Sequence, residues 1–192
     1  MHIGRLFLRG VIGPLFVGHG TQKLFGWFGG HGLEGTAGFF ESGLGLRPGK
    51  RHATAAGAAE AVGGALLTLG ALTPLSAAMI NGAMVTAIRK VHLTKGPWVT
   101  EGGYEYNLAL IAMLTALVES GPGSPSVDES LLPRFKGTGW ALAALAAGAA
   151  GSYLATEHLN EPEPASEATA GEQALEDQPR FERETADQTS TV

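Results

Sequence analysis

A few polar side chains interrupt the apolar stretches of this chain, and their types suit the binding and protonation of a polar head group. His19 and Lys23 are four residues apart, which places them on one face of a helix, with Gln22 beside them. Glu60 belongs to a second apolar stretch. Imidazole, ammonium and amide groups donate hydrogen bonds to an oxygen atom, and a carboxylate can relay protons.

The depth of these groups makes them informative, because an ionisable side chain inside a bilayer costs roughly 2.5–3.5 kcal/mol on insertion scales. If successive helices alternate in direction, most of the polar groups lie at one depth near one membrane face. Glu60 is seven residues into its predicted helix, about 10 Å from that face at 1.5 Å per residue. The candidate polar pocket comprises His19, Gln22, Lys23, Glu60, Arg89, His92 and Glu105.

Two simpler explanations stay open for this set. Arg89 and Glu105 lie near helix ends, where a long side chain reaches water at the interface without any further role. That explanation suits the deeper His19 and Glu60 poorly. For these two residues the competitor is an ion pair that only holds the helices together.

Residue types and spacing exclude several other chemistries. The 192-residue chain has no cysteine, so it forms no disulfide and holds no iron–sulfur cluster on its own. Residues 30–35 match G-x-G-x-x-G, but an apolar helix precedes them where a dinucleotide site needs a strand. His31, His52 and His92 lack metal-ligand spacing and are assigned to loops or the interface, so no metal site is predicted.

Five apolar stretches must position the pocket, and their lengths favour helices in a membrane, which need about 20 apolar residues each. The uncharged run 61–88 exceeds one span and is broken at Thr73-Pro74, which predicts a helical hairpin. Residues 29–52 form a long connection, and 36–42 fit a short interfacial or re-entrant helix. A loop that rests on the bilayer surface is favoured over a lid above a site. The predicted long helices cover residues 5–28, 53–72, 75–93, 104–119 and 137–156.

The predicted fold class is therefore all-α, a polytopic membrane helical bundle with a four-helix core and a fifth, C-terminal transmembrane helix. A soluble helical domain is the alternative, but it would show charged faces at helical spacing, which residues 61–88 and 137–156 lack. The expected divisions are a membrane domain over 1–123, a connecting loop over 124–136, the additional helix over 137–156 and a tail over 157–192.

Charge separates the chain at Glu157. Mean hydropathy is +0.10 and net charge is −5, but these averages mix two unlike parts. Residues 157–192 hold ten acidic and two basic residues, a net charge of −8, which predicts an acidic disordered tail. The remaining net charge of +3 is too small to indicate a nucleic-acid partner. Six basic residues are expected at the membrane face that carries the tail and four at the opposite face. Because cytoplasmic loops are richer in Lys and Arg, this difference favours a cytoplasmic tail.

An ordered set of short motifs between residues 5 and 123 resembles the DoxX family of small bacterial membrane proteins. The motifs are Gly18-His19-Gly20-Thr21-Gln22-Lys23-Leu24-Phe25-Gly26, Gly35-Thr36-Ala37-Gly38-Phe39-Phe40, Glu60 with Gly63-Gly64, Leu72-Thr73-Pro74, and Gly102-Gly103-Tyr104-Glu105-Tyr106. The resemblance implies a four-helix, multi-pass protein of the bacterial cytoplasmic (inner) membrane. The family takes its name from a subunit of a thiosulfate:quinone oxidoreductase, and an actinobacterial relative is associated with a complex containing superoxide dismutase and a sulfurtransferase.

Three functions fit these observations. The first is a membrane subunit of a redox or oxidative-stress system, linked to sulfur or quinone chemistry, with a quinone as the candidate cofactor. His19 or Lys23 would contact the quinone oxygen, and Glu60 or Glu105 would relay protons. The expected partners are the lipid bilayer and soluble redox enzymes. The alternatives are a non-catalytic membrane scaffold that recruits such enzymes, and a small-solute or proton transporter. The sequence assigns neither an enzyme activity nor an oligomeric state.

Overall fold

The computed structural model describes residues 2–162, and these residues fold into helices with no strand among them. This confirms the predicted all-α class. Two π-helical turns, Ile88–His92 and Leu154–His158, extend the fourth and the last α-helix directly. The α-helices are α1 (Ile3–Phe25), α2 (Gly32–Leu44), α3 (Gly49–Leu69), α4 (Thr73–Ala87), α5 (Glu105–Ser120), α6 (Val127–Leu131) and α7 (Thr138–Tyr153).

The α3–α4 hairpin forms at the predicted break. Gly70 ends α3 with φ of +60°, a left-handed conformation that glycine adopts without a Cβ penalty. Pro74 lies in the first turn of α4, where its missing N–H removes no helical hydrogen bond. The Ser76 hydroxyl donates to the carbonyl of Gly63 at 2.7 Å, which fixes the register of the two helices.

Two short helices differ from the sequence expectations. α2 is 13 residues long and covers much more of its connection than residues 36–42. α6 lies inside the segment expected to be a loop. Its Asp128, 1% exposed, accepts hydrogen bonds from the backbone N–H groups of Leu72 and Thr73, each at 2.7 Å. Asp128 therefore caps the N-terminus of α4 from a distant part of the chain.

A buried arginine completes this end of the bundle. The Arg9 guanidinium, on α1, donates to the carbonyls of Thr68 at 3.0 Å and Pro125 at 2.6 Å. Arg9 is 1% exposed. We call Arg9 and Asp128 the Arg9–Asp128 cluster. It joins α1, the end of α3, the start of α4 and α6.

α3 and α4 form the centre of the bundle, with α1 packed against α3 and both α5 and α7 packed against α4. The α1–α3 contact is close because glycines face each other, and a Cβ on Gly64 would lie 2.5 Å from the Gly13 carbonyl oxygen. A hydrophobic core fills the space between the other helices. Its fully buried side chains include Leu67, Ala77, Ile80, Leu114 and Val118.

Residues Met1–Asn160 form one compact unit that includes α7. Within the described residues, none of the helices combines the length and the apolar character needed to cross a bilayer. The five predicted transmembrane helices therefore stay a prediction. The expected tail starts at Glu157, but the π-turn continues to His158 and Asn160 hydrogen-bonds the α2–α3 connection. The rest of the expected tail lies outside the described residues.

Candidate functional site

Lys23 of α1 and Glu60 of α3 form an ion pair. Lys23 Nζ lies 2.6 Å from Glu60 Oε2, and the exposed fractions of the two side chains are 27% and 7%. The helices approach closely here because small residues line the contact, and a Cβ on Gly57 would lie 2.7 Å from the Leu24 side chain. A charge this well shielded from water depends on its partner, since removal of one leaves the other uncompensated.

The ion pair lines a cavity of about 650 Å³, to which every α-helix except α6 contributes. This volume falls within the range of about 300–1,000 Å³ typical of small-molecule pockets. Small residues such as Ala59, Ala83 and Gly151 leave the space that larger side chains would fill. Lys23 and Glu60 are the only charged residues in the described lining. The other polar lining residues are His19, His52, Thr86, Tyr106, Asn107, Ser152 and Thr156.

His19 adds an imidazole to the wall that holds the ion pair. Its Nδ1 lies 3.1 Å from Gln22 Oε1, and the Gln22 amide nitrogen donates to the Phe28 carbonyl at 3.3 Å. Gln22 thus orients the imidazole and fastens the α1–α2 connection, although it does not line the cavity itself. With Nδ1–H directed to Gln22, His19 Nε2 accepts a hydrogen bond when the ring is neutral and donates one when it is cationic.

Three residues of the sequence-predicted pocket do not line the cavity and bind other partners. Arg89 donates to Thr156 at 2.9 Å and to Glu157 at 2.7 Å. His92 Nδ1 lies 2.6 Å from the Gly102 carbonyl, and Glu105 accepts a hydrogen bond from the backbone N–H of Val99 at 2.9 Å. The structure therefore brings together His19, Lys23 and Glu60, with Gln22 behind them, and leaves Arg89, His92 and Glu105 outside the lining.

The Arg89 contact also acts on the carboxyl group that it binds. The hydrogen bond from Arg89 is the main cause that lowers the pKa of Glu157, and the hydrogen bond from Thr156 adds to it. The Arg89 guanidinium also lies 5.7 Å from the centre of the Tyr153 ring, within cation–π range. Arg89 therefore fastens the end of α7 to the end of α4.

His52 and Asn107 are among the polar lining residues that the sequence analysis did not place in the pocket. His52 is buried in the first turn of α3, and its Nε2 lies 3.1 Å from the Arg47 carbonyl. Asn107 is buried on α5 and donates to Met84 Sδ at 3.3 Å. His52 precedes Glu60 by eight residues, just over two helical turns. This spacing could have indicated that His52 lines the same cavity as Glu60. No His, Asp and Glu group in the described part of the chain is arranged to hold a metal ion.

This arrangement suits a molecule with a compact polar end and a larger apolar part. The ammonium and imidazole groups can bind an oxygen atom, and the carboxylate can exchange a proton with a bound group. The rest of the lining is mainly aliphatic and aromatic, with Leu15, Phe16 and Met79 among its larger residues. Burial of an apolar ligand surface here contributes about 25 cal/mol per Å² removed from water.

Comparison with known proteins adds family information to this geometry. The DoxX family model matches residues 4–93, the segment that contains His19, Lys23 and Glu60. A protein of Bacillus subtilis (strain 168) named "Putative oxidoreductase CatD" is 33% identical over 118 residues. The aligned region covers 62% of this chain and 81% of that relative. No solved structure matches the chain.

Proposed function

The chain belongs to the DoxX family, and from that premise we propose that it is a membrane subunit of a redox system whose cavity binds a quinone-like electron carrier. The observation that carries this proposal is the shielded Lys23–Glu60 pair, with His19, on the wall of a largely apolar cavity. A quinone has carbonyl oxygens on a ring and an apolar substituent, so it needs both kinds of surface. The name of the Bacillus relative supports the redox assignment.

Each polar residue has a distinct role in this proposal. His19 Nε2 contacts one carbonyl oxygen and donates a hydrogen bond to it when both ring nitrogens carry a proton. Lys23 stabilises the negative charge that develops there as electrons arrive. Glu60 holds Lys23 in place and exchanges protons with the bound group. Conversion of a quinone to a quinol takes up two electrons and two protons. Because the chain has no cysteine, we assign the electron donor to a soluble redox partner or a free sulfur compound.

A membrane location is part of the same proposal. Large apolar side chains recur every four residues along one outer face of α1, where Ile3, Phe7 and Val11 are 41–72% exposed. A contiguous apolar face of this kind suits contact with lipid. If the location is right, the full chain stays in the membrane pellet after carbonate washing and needs detergent for extraction. Release by carbonate would overturn it. Single cysteines introduced into this cysteine-free chain and treated with a membrane-impermeant thiol label test whether the tail lies on the cytoplasmic face.

Titration of the detergent-purified protein with a short-chain quinone analogue tests the ligand assignment. We expect saturable binding that is about ten- to a hundredfold weaker in His19→Ala and Glu60→Gln, since a hydrogen bond to a charged group contributes about 1.5–3 kcal/mol. Glu34→Gln is the matched control, because the Glu34 carboxyl is 79% exposed and outside the cavity. Absence of binding to the unaltered protein, or equal binding by all variants, would refute the assignment.

A further inference from the structure

Helix α7 forms one wall of the cavity although it lies beyond the residues that match the family model. It is fastened to α4 at several levels. A Cβ on Gly148 would lie 2.9 Å from the Ala78 carbonyl oxygen, so the two backbones are in contact there. One turn further along, the Thr86 and Ser152 hydroxyls are 2.8 Å apart and hydrogen-bonded. The wall therefore has a fixed position relative to α4.

The cavity side of this wall is a row of small lining residues, Ala147 and Gly151 on α7 and Ala155 in the π-helical turn that extends it. The spacing of four keeps Ala147 and Gly151 on one face of α7. Gly151 is exposed, and a Cβ placed on it would meet no other atom within 4 Å. A side chain at position 151 would thus extend into open space in the cavity without a clash against the bundle.

We infer that Gly151 is a size-determining position of the ligand site: its missing side chain sets the width of the cavity beside α7 at the level of Thr86. The inference rests on the proposed function in that it takes the cavity to be a ligand site. It goes further in assigning ligand selection to α7, a helix that the DoxX model does not cover. A larger residue at 151 would exclude ring-bearing or branched ligands from this level by occupying their volume.

Gly139 supplies a matched control on the same helix. A Cβ on Gly139 also meets no atom within 4 Å, but Gly139 does not line the cavity. Gly151→Leu and Gly139→Leu make the same chemical change and each removes a helical glycine. Both should therefore hold or slightly increase helix stability. A difference between them in ligand occupancy then reports on the cavity rather than on folding.

The test uses the full chain in detergent and a photoreactive apolar probe, an aryl diazirine, with labelled residues located by mass spectrometry. We expect saturable labelling at Met79 and Leu75, reduced at least about fivefold in Gly151→Leu and unchanged in Gly139→Leu. Equal labelling of the two variants, or no saturable labelling of the unaltered chain, would overturn the inference.

Competition by a quinone analogue separates this inference from the proposed function. If the analogue displaces the probe from the unaltered chain and Gly151→Leu reduces the labelling, both the quinone assignment and the role of Gly151 stand. If it fails to displace the probe while the Gly151→Leu effect is present, the quinone assignment fails and the size-determining role of Gly151 stands. If the analogue binds equally well to Gly151→Leu, the role of Gly151 is refuted and the ligand assignment is kept.

Discussion

Removal of one partner of the Lys23–Glu60 pair should destabilise the fold strongly, and removal of both should not. Breaking a fully buried ion pair costs about 3–5 kcal/mol because an uncompensated charge stays behind. The Lys23 side chain is 27% exposed, so solvent screens part of this effect. We therefore expect Lys23→Met to cost about 2–4 kcal/mol of unfolding free energy, and Lys23→Met with Glu60→Met to lie within about 1 kcal/mol of the unaltered chain.

The chain offers a matched control for this double-mutant cycle. Lys50 Nζ and Glu34 Oε1 are also 2.6 Å apart, but their side chains are 62% and 79% exposed. Exposed pairs typically contribute about 0.2–1 kcal/mol. The assay is unfolding in mixed micelles with increasing dodecyl sulfate, followed by far-ultraviolet circular dichroism. Equal coupling energies in the two cycles would refute the argument that burial gives the Lys23–Glu60 pair its strength.

The same double variant separates a structural role of the pair from a binding role. A pair that only holds α1 against α3 could be replaced by two methionines without loss of ligand affinity. A pair that binds the quinone head group could not. We expect the double variant to recover stability and yet to bind the quinone analogue about tenfold or more weakly. Recovery of both properties would assign the pair to stability alone.

Three further predictions concern the supports of the site. Asp128→Ala removes the backbone cap of α4 and should lower the unfolding free energy by about 2–3 kcal/mol in the same micelle assay, with Asp128→Asn less severe. Gly148→Ala should cost about 1–3 kcal/mol through the clash with α4, whereas Gly151→Ala should cost nothing. Because Arg89 lowers the pKa of Glu157 in the folded chain, the stability from this pair is present above the unfolded pKa and is lost as pH falls through the folded pKa. The thermal midpoints of the unaltered chain and Glu157→Gln should therefore converge as the pH falls below 4.5, the ordinary pKa of this carboxyl group. A difference between the two midpoints that stays constant with pH would contradict this.

The sequence predicts the order of the long helices because their boundaries depend on local signals. Pro74 cannot continue α3, so the hairpin break follows from one residue. The proximity of Lys23 and Glu60 follows from their similar depth in antiparallel helices. Arg89 shows where such reasoning stops. It lies in a π-helical turn, which changes the direction of side chains relative to a regular helix, and no residue pattern marks that turn in advance.

The two buried polar residues at the opposite end were not predicted, for a different reason. Asp128 belongs to a five-residue helix, too short to show a periodic pattern, and its partners at Leu72 and Thr73 are 56 and 55 residues away. Arg9 resembles an ordinary interfacial arginine until α6 covers it. Long-range contacts of this kind depend on the tertiary arrangement, which the local sequence does not encode.

The Arg9–Asp128 cluster has a consequence for the order of events during synthesis. The first turn of α4 is made 55 residues before the carboxylate that satisfies its backbone N–H groups. At about 5–20 residues per second, the growing chain carries an uncapped α3–α4 hairpin for roughly 3–11 s. During that interval α1, α3 and α4 have no common anchor at this end. The nascent protein therefore fixes the positions of α1, α3 and α4 at this end only when α6 emerges. A ribosome-stalled chain that stops before Asp128 should remain sensitive to proteolysis at residues 70–73.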